Sequence, residues 1–96
     1  MQPAKYINVV TDAIDYLAGW QLCTSSEIIQ TARIVADMLG DCRFPRMNQP
    51  KLFKAFILIS IAMAVLHNGS NGRLPIRKAV SLANEYLIMT LSILLK

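Results

Sequence analysis

Apolar positions recur at helical intervals along most of this chain, and one stretch departs from that rhythm. Between Lys54 and Leu66 there is no charge, and Ser60 is the one polar side chain. A helix that is apolar on every side has to be surrounded, by protein or by lipid. The stretch predicts a central apolar third helix over about 50–67, with the other elements as its cover. Ahead of it, Ile7, Val10, Ile14 and Leu17 fall at three- and four-residue spacing, with Tyr6, Val9, Ala13, Tyr16 and Trp20 as an adjacent stripe. Asn8, Asp12, Asp15 and Gly19 line the other side. This predicts a first helix over about 3–20 with an apolar face wide enough for two neighbours.

The start of the second helix is the clearest local signal. Thr24-Ser25-Ser26-Glu27 is a capping box, a hydroxyl at the N-cap and a carboxylate three residues on. A helix over about 24–39 follows, ending at Gly40, with Ile28, Ala32, Val35 and Leu39 as its buried stripe. Pro45 and Pro50 bracket an irregular stretch from Asp41 to Gln49, in which Phe44 and Met47 are expected to tuck against the core. Asn68-Gly69-Ser70-Asn71-Gly72 reads as a turn with two glycines available for positive φ. It joins the third helix to a fourth, over about 75–95, and two long helices so joined pack antiparallel. The expected fold is all-α, a four-helix bundle-like single domain.

Composition adds a second constraint. Hydrophobic residues make up 54% of the 96 residues and charged residues 17%, against roughly 45–50% and about 25% in an average soluble domain. A domain this small buries only about 60–65% of the surface of its unfolded chain. The surplus apolar side chains call for a homo-oligomer, a bound partner or a membrane. A homodimer is the first expectation, with Trp20, Tyr86, Leu91 and Leu94 as its self-association residues.

Charge is divided along the chain. Lys5 and Arg33 stand against Asp12, Asp15, Glu27, Asp37 and Asp41 in the first part, while Glu85 is the one acid after residue 41. Arg43, Arg46, Lys51 and Lys54 crowd the start of the third helix, and Arg73, Arg77 and Lys78 the start of the fourth. Cations there oppose the helix macrodipole, a small cost that stability alone does not explain. The clusters are candidates for nucleic acid or an acidic partner, although no helix-turn-helix, RNA-recognition or zinc-finger pattern accompanies them.

Chemistry of other kinds has little foothold. Asp12 and Asp15 share a helix face, where such pairs are usually solvated, and His67 stands where a histidine caps a helix end. There is no phosphate loop, nucleophile elbow or metal-ligand spacing. No enzyme activity, cofactor or metal is expected. Cys23 and Cys42 flank the second helix, about 25 Å apart along it, too far to pair. With no signal peptide visible, the expected location is the cytoplasm. The membrane reading ranks third, because Ala55–Leu66 spans 12 residues and a crossing helix needs roughly 18–20.

Two short resemblances exist. The segment Ala79-Val80-Ser81-Leu82-Ala83-Asn84-Glu85-Tyr86 resembles the late helix of NusB-type antitermination factors. Pro50-Lys51-Leu52-Phe53, leading into an apolar helix with a later Lys78-Ala79 helix, is similar to the layout of flavivirus capsid proteins, which are far more basic. Neither carries site residues over. The sequence thus reads as a small non-enzymatic helical protein (regulator, antiactivator, adaptor, chaperone or immunity type) binding another protein as a homodimer. A nucleic-acid-binding regulator or packaging protein is the alternative, and a small membrane-associated protein the third reading.

Overall fold

A computed structural model of the chain describes residues 4–41 and 50–96. Four helices pack together: α1 (Ala4–Leu17), α2 (Ser25–Gly40), α3 (Pro50–Ser70) and α4 (Ile76–Leu94), with a short 3₁₀ turn at Trp20–Leu22. Among the described residues there is no strand. The accessible surface of 5801 Å² is close to the roughly 5,500 Å² expected of a folded monomer of this mass. The expected contacts of Phe44 and Met47, and the cysteine Cys42, lie outside the described residues.

Each helix buries a stripe at alternating spacings of three and four. These are Tyr6, Val10, Ala13 and Leu17 on α1, and Ile28, Ala32, Val35 and Leu39 on α2. On α3 they are Leu52, Ala55, Ile59, Ala62 and Leu66; on α4, Val80, Ala83, Leu87, Thr90 and Leu94. That is the spacing at which one side of an α-helix faces a neighbour. Ile7, Val9 and Ile14 widen the α1 stripe from its edges, and α1 packs on both α2 and α4. Thr90 is the polar member of the core. Its hydroxyl donates to the Tyr86 carbonyl at 2.8 Å, so burial leaves no orphan donor.

Among the described residues α3 and α4 form the most extensive helix pair; α3 also packs on α2, and α4 on α1 and more lightly on α2. Only a third of the most apolar window of α3 is buried. The uninterrupted apolar run hid two different faces, one inside and one outside.

Helix ends also differ from expectation, for local reasons. The first helix stops at Leu17, because Gly19 adopts φ 77 and the chain tightens into the 3₁₀ turn. The capping box at α2 is formed as expected: Thr24 Oγ1 accepts from the Glu27 amide at 3.2 Å, and the Thr24 amide donates to the Glu27 carboxylate at 2.9 Å. The Thr24 backbone amide first, and the Thr24 hydroxyl second, hold the Glu27 carboxyl below its usual 4.5. The third helix does not end at His67. It continues to Ser70 and closes in a Schellman motif, with Arg73 N–H bonded to Asn68 O at 2.8 Å and Gly72 N–H to Gly69 O at 3.3 Å. Gly72, at φ 82, takes the left-handed position.

Gly69 has another use. It is buried and helical, and a Cβ built on it would lie 2.5 Å from the Ala79 Cβ. The backbones of α3 and α4 approach here as closely as hydrogen in place of a methyl allows. Gly40 faces Met63 at ordinary contact distance, and Arg33 reaches the Ser70 carbonyl at 3.5 Å. These contacts make α2 antiparallel to α3. At the far end of α3 the Lys51 ammonium bonds the Lys96 carbonyl, which together with Gly69 and Ala79 makes α3 antiparallel to α4.

Gly69→Ala gains about 1 kcal/mol of helix propensity yet lowers net stability in urea denaturation by about 1–2 kcal/mol, because the overpacked backbone cannot yield; adding Ala79→Gly restores part of it. Thr24→Ala costs about 1 kcal/mol at pH 7. The stabilising linkage of Glu27 is present above its unfolded value and is lost as pH falls through the lowered folded one. Glu27→Gln therefore flattens the acid limb below pH 4.5.

Candidate interaction surface

Once the inner stripes are assigned, large apolar side chains remain exposed on all four helices, Tyr16 on α1 and Ile34 on α2 among them, and those on α3 include one line. On α3, Phe53, Ile57 and Ile61 are 46%, 40% and 37% exposed. Ala64 continues their line and Ser60 lies beside it, half-buried. With 100° per residue these positions share one side of the helix, opposite Leu52, Ala55, Ile59, Ala62 and Leu66. The helix carries no acid anywhere, and Lys51 and Lys54 stand at its beginning. On α4, Ile88 and Met89 are also exposed, separated along the helix by Glu85, Ser81 and Lys78 from its start.

Of the residues expected to mediate self-association, one lies in the core and three are partly exposed. Leu94 is 3% exposed and belongs to the core. Trp20, Tyr86 and Leu91 are half-buried and pack against that core. The reason is register. Leu94 continues the inner α4 stripe seven residues after Leu87. What was missed, the outer face of α3, has a signature in side-chain size. Its inner stripe includes Ala55, Ala62 and Gly69, which permit close packing, while Phe53, Ile57 and Ile61 are bulky.

The basic residues divide between the two ends of the molecule. Arg73, Arg77 and Lys78 are exposed around the α3–α4 turn. Lys51 and Lys54 lie at the opposite end of α3, roughly 30 Å away along a 21-residue helix. There, with Pro50, Ile93 and Lys96, they line an open cleft of about 360 Å³. Two of the cations are used within the fold. The Arg77 guanidinium donates to the Cys23 carbonyl at 2.8 Å, fastening the start of α4 to the loop before α2. Lys51 holds the Lys96 carbonyl. These bonds offset the unfavourable placement of a cation at a helix start. Arg43 and Arg46 lie outside the described residues.

Other candidate chemistry stays dispersed. Asp12 and Asp15 are exposed. Among the described residues no three His, Cys, Asp or Glu side chains come close enough to hold a metal. The Cys23 thiol points to the Gly19 carbonyl at 3.6 Å. One described helix, α3, is long and apolar enough to cross a membrane by length and composition, with mean hydropathy 1.7 in its best window. It is longer than the 12-residue run counted in the sequence, because Pro50–Lys54 and His67–Ser70 are helical too. No protein-family model matches the chain, and no curated protein or solved structure matches it significantly.

Leu94→Ala is expected to lower the unfolding free energy by about 2–4 kcal/mol, as a core truncation does. Ser92→Ala, on the exposed side of the same turn, is expected to stay within about 0.5 kcal/mol. Paired urea denaturation curves check both.

Proposed function

We propose that this chain is a small non-enzymatic helical interaction protein that acts by binding another protein, and that the outer face of α3 is where it does so. The observation that supports this is the pairing of opposites on one helix. One side is packed in a protein core at strict three–four spacing, and the other presents Phe53, Ile57 and Ile61, with Lys54 at its edge and no charge from Ala55 to Leu66. Exposed apolar side chains on so continuous a line mark an interaction site. The type of action that suits it is occupancy, as in a regulator, antiactivator, adaptor, chaperone or immunity protein. The basic clusters favour nucleic acid less, since phosphate binding gains from convergence and these cations are divided by the length of α3.

A photo-crosslinking amino acid at position 57, in the living cell, tests this reading. Protein adducts are expected from position 57 and not from the exposed Asn8 position on α1. Ile61→Asp should abolish them while leaving the circular dichroism and melting curve unchanged. Adducts with lipid alone, or equal protein adducts from both positions, would overturn the proposal.

A further inference from the structure

We infer that the partner of the outer α3 face is an amphipathic helix of another protein, acidic at both ends, lying in the groove between α3 and α4. The inference rests on the protein-binding reading above and names the chemistry of the partner. The exposed line of Phe53, Ile57 and Ile61 does not stop at the edge of α3. Beside it, toward α4, come Leu58 and Val65, both half-buried. Lys51 and Lys54 line one cleft with Ile93, so this flank of α3 meets the flank of α4 that carries Ile93. The contacts with α2 lie elsewhere on α3, at Met63 and Ser70, well round the helix from Leu58 and Val65.

Spacing selects a helix as the occupant. The α3 edge of the groove runs through Lys54, Leu58, Ile61 and Val65, at intervals of four, three and four. The α4 edge runs through Leu82, Tyr86, Met89 and Ile93 at the same intervals. Met89 is exposed, and the other three are half-buried, Tyr86 touching the core from its edge. Alternation of three and four is the spacing of a helical seam. A groove between two such seams accepts the apolar stripe of a third helix. A strand, with a period of two, matches neither edge, and a bilayer requires no register at all.

Charge sets the ends. Lys51, Lys54 and Lys96 surround the cleft of about 360 Å³ at one end of the groove. Lys51 is tied to the Lys96 carbonyl, so Lys54 and Lys96 supply the charge offered there. At the other end Lys78, exposed, stands four residues before Leu82 in the same register. Lys78 and Lys96 are about 27 Å apart along α4. Between them the one acid of the two helices, Glu85, is exposed beside the α4 edge. The order along the groove is therefore positive, negative, positive. A guest helix of about 18 residues with Asp or Glu in its first and last turns, and none in its middle, is complementary to that order. A uniformly anionic surface would set its charge against Glu85.

A phage-displayed library of helices of about 20 residues, with a fixed leucine stripe and all other positions randomised, is panned against the full chain. Survivors are expected to carry Asp or Glu in their end turns at least about threefold more often than in the middle. A survivor made as free peptide is then titrated by fluorescence anisotropy. Met89 and Ile88 are neighbours of equal exposure, 50% and 51%, set about 100° apart around α4. Met89→Asp and Ile61→Asp are each expected to weaken binding at least about tenfold, and Ile88→Asp to leave it unchanged, all with unaltered melting curves. Lys54→Glu is expected to weaken it about threefold, with recovery when the acids at one end of the peptide are exchanged for Lys. No survivors, survivors without acidic ends, or equal losses from Met89→Asp and Ile88→Asp would overturn the inference. Protein adducts from position 57 under any of those results leave the protein-binding reading standing alone. If no peptide survives, and the chain floats with vesicles of anionic phospholipid from which Ile61→Asp releases it, both readings fall.

Discussion

The close approach of α3 and α4 at Gly69 and Ala79 governs the rest of the structure. Two helices joined by a five-residue turn can splay or press together. Here a missing methyl lets the backbones press. Once they do, Ala62, Ala83 and their neighbours can lie in one seam, and the larger Leu66, Val80 and Leu87 fill the space toward α1 and α2. The Schellman closure at Gly72 then has only to return the chain in the direction that contact has set. A wider separation would unseat the inner stripes of both helices, because a packed core does not deform continuously.

Periodicity made the four helices and most inner stripes legible in the sequence. The α2 stripe of Ile28, Ala32, Val35 and Leu39 and the capping box at Thr24 were readable residue by residue, since both depend on spacing and local chemistry. The role of α3 was not. A run such as Phe56-Ile57-Leu58-Ile59 has no polar residues to mark which side faces out, so hydropathy alone could not separate inside from outside. Side-chain size carried part of that information, with Ala55, Ala62 and Gly69 inward and Phe53 and Ile57 outward, but Ile59 inward and Ala64 outward break the pattern. The use of Gly69 was hidden for a related reason. Next to Asn68 and Gly72 it reads as a turn residue, and only the position of Ala79, ten residues later, reveals it as a contact.

The charged residues show how a sequence pattern can be real and still divide on folding. Seven cations in two clusters, at the starts of the third and fourth helices, were expected at opposite ends of an antiparallel pair. Those among the described residues do lie at opposite ends of α3, and there Arg77 and Lys51 reach backbone carbonyls of other segments. Arg33 does the same from α2 at the end of α3. Long cationic side chains thus serve as ties between segments at both poles of the molecule. Their charge is matched to carbonyl oxygen more than to carboxylate, which fits a chain with only six acids.

The contact between α1 and α4 has a consequence for how the molecule comes into being. Of the described helices, the one translated first is seated on the one translated last. While the ribosome is still translating α3, α1 and α2 can meet each other, but the platform that joins them to the remainder does not yet exist. Closure waits for the codons of Leu87 to Leu94. Until then the sides of α1 and α3 that pack on α4 lack their cover.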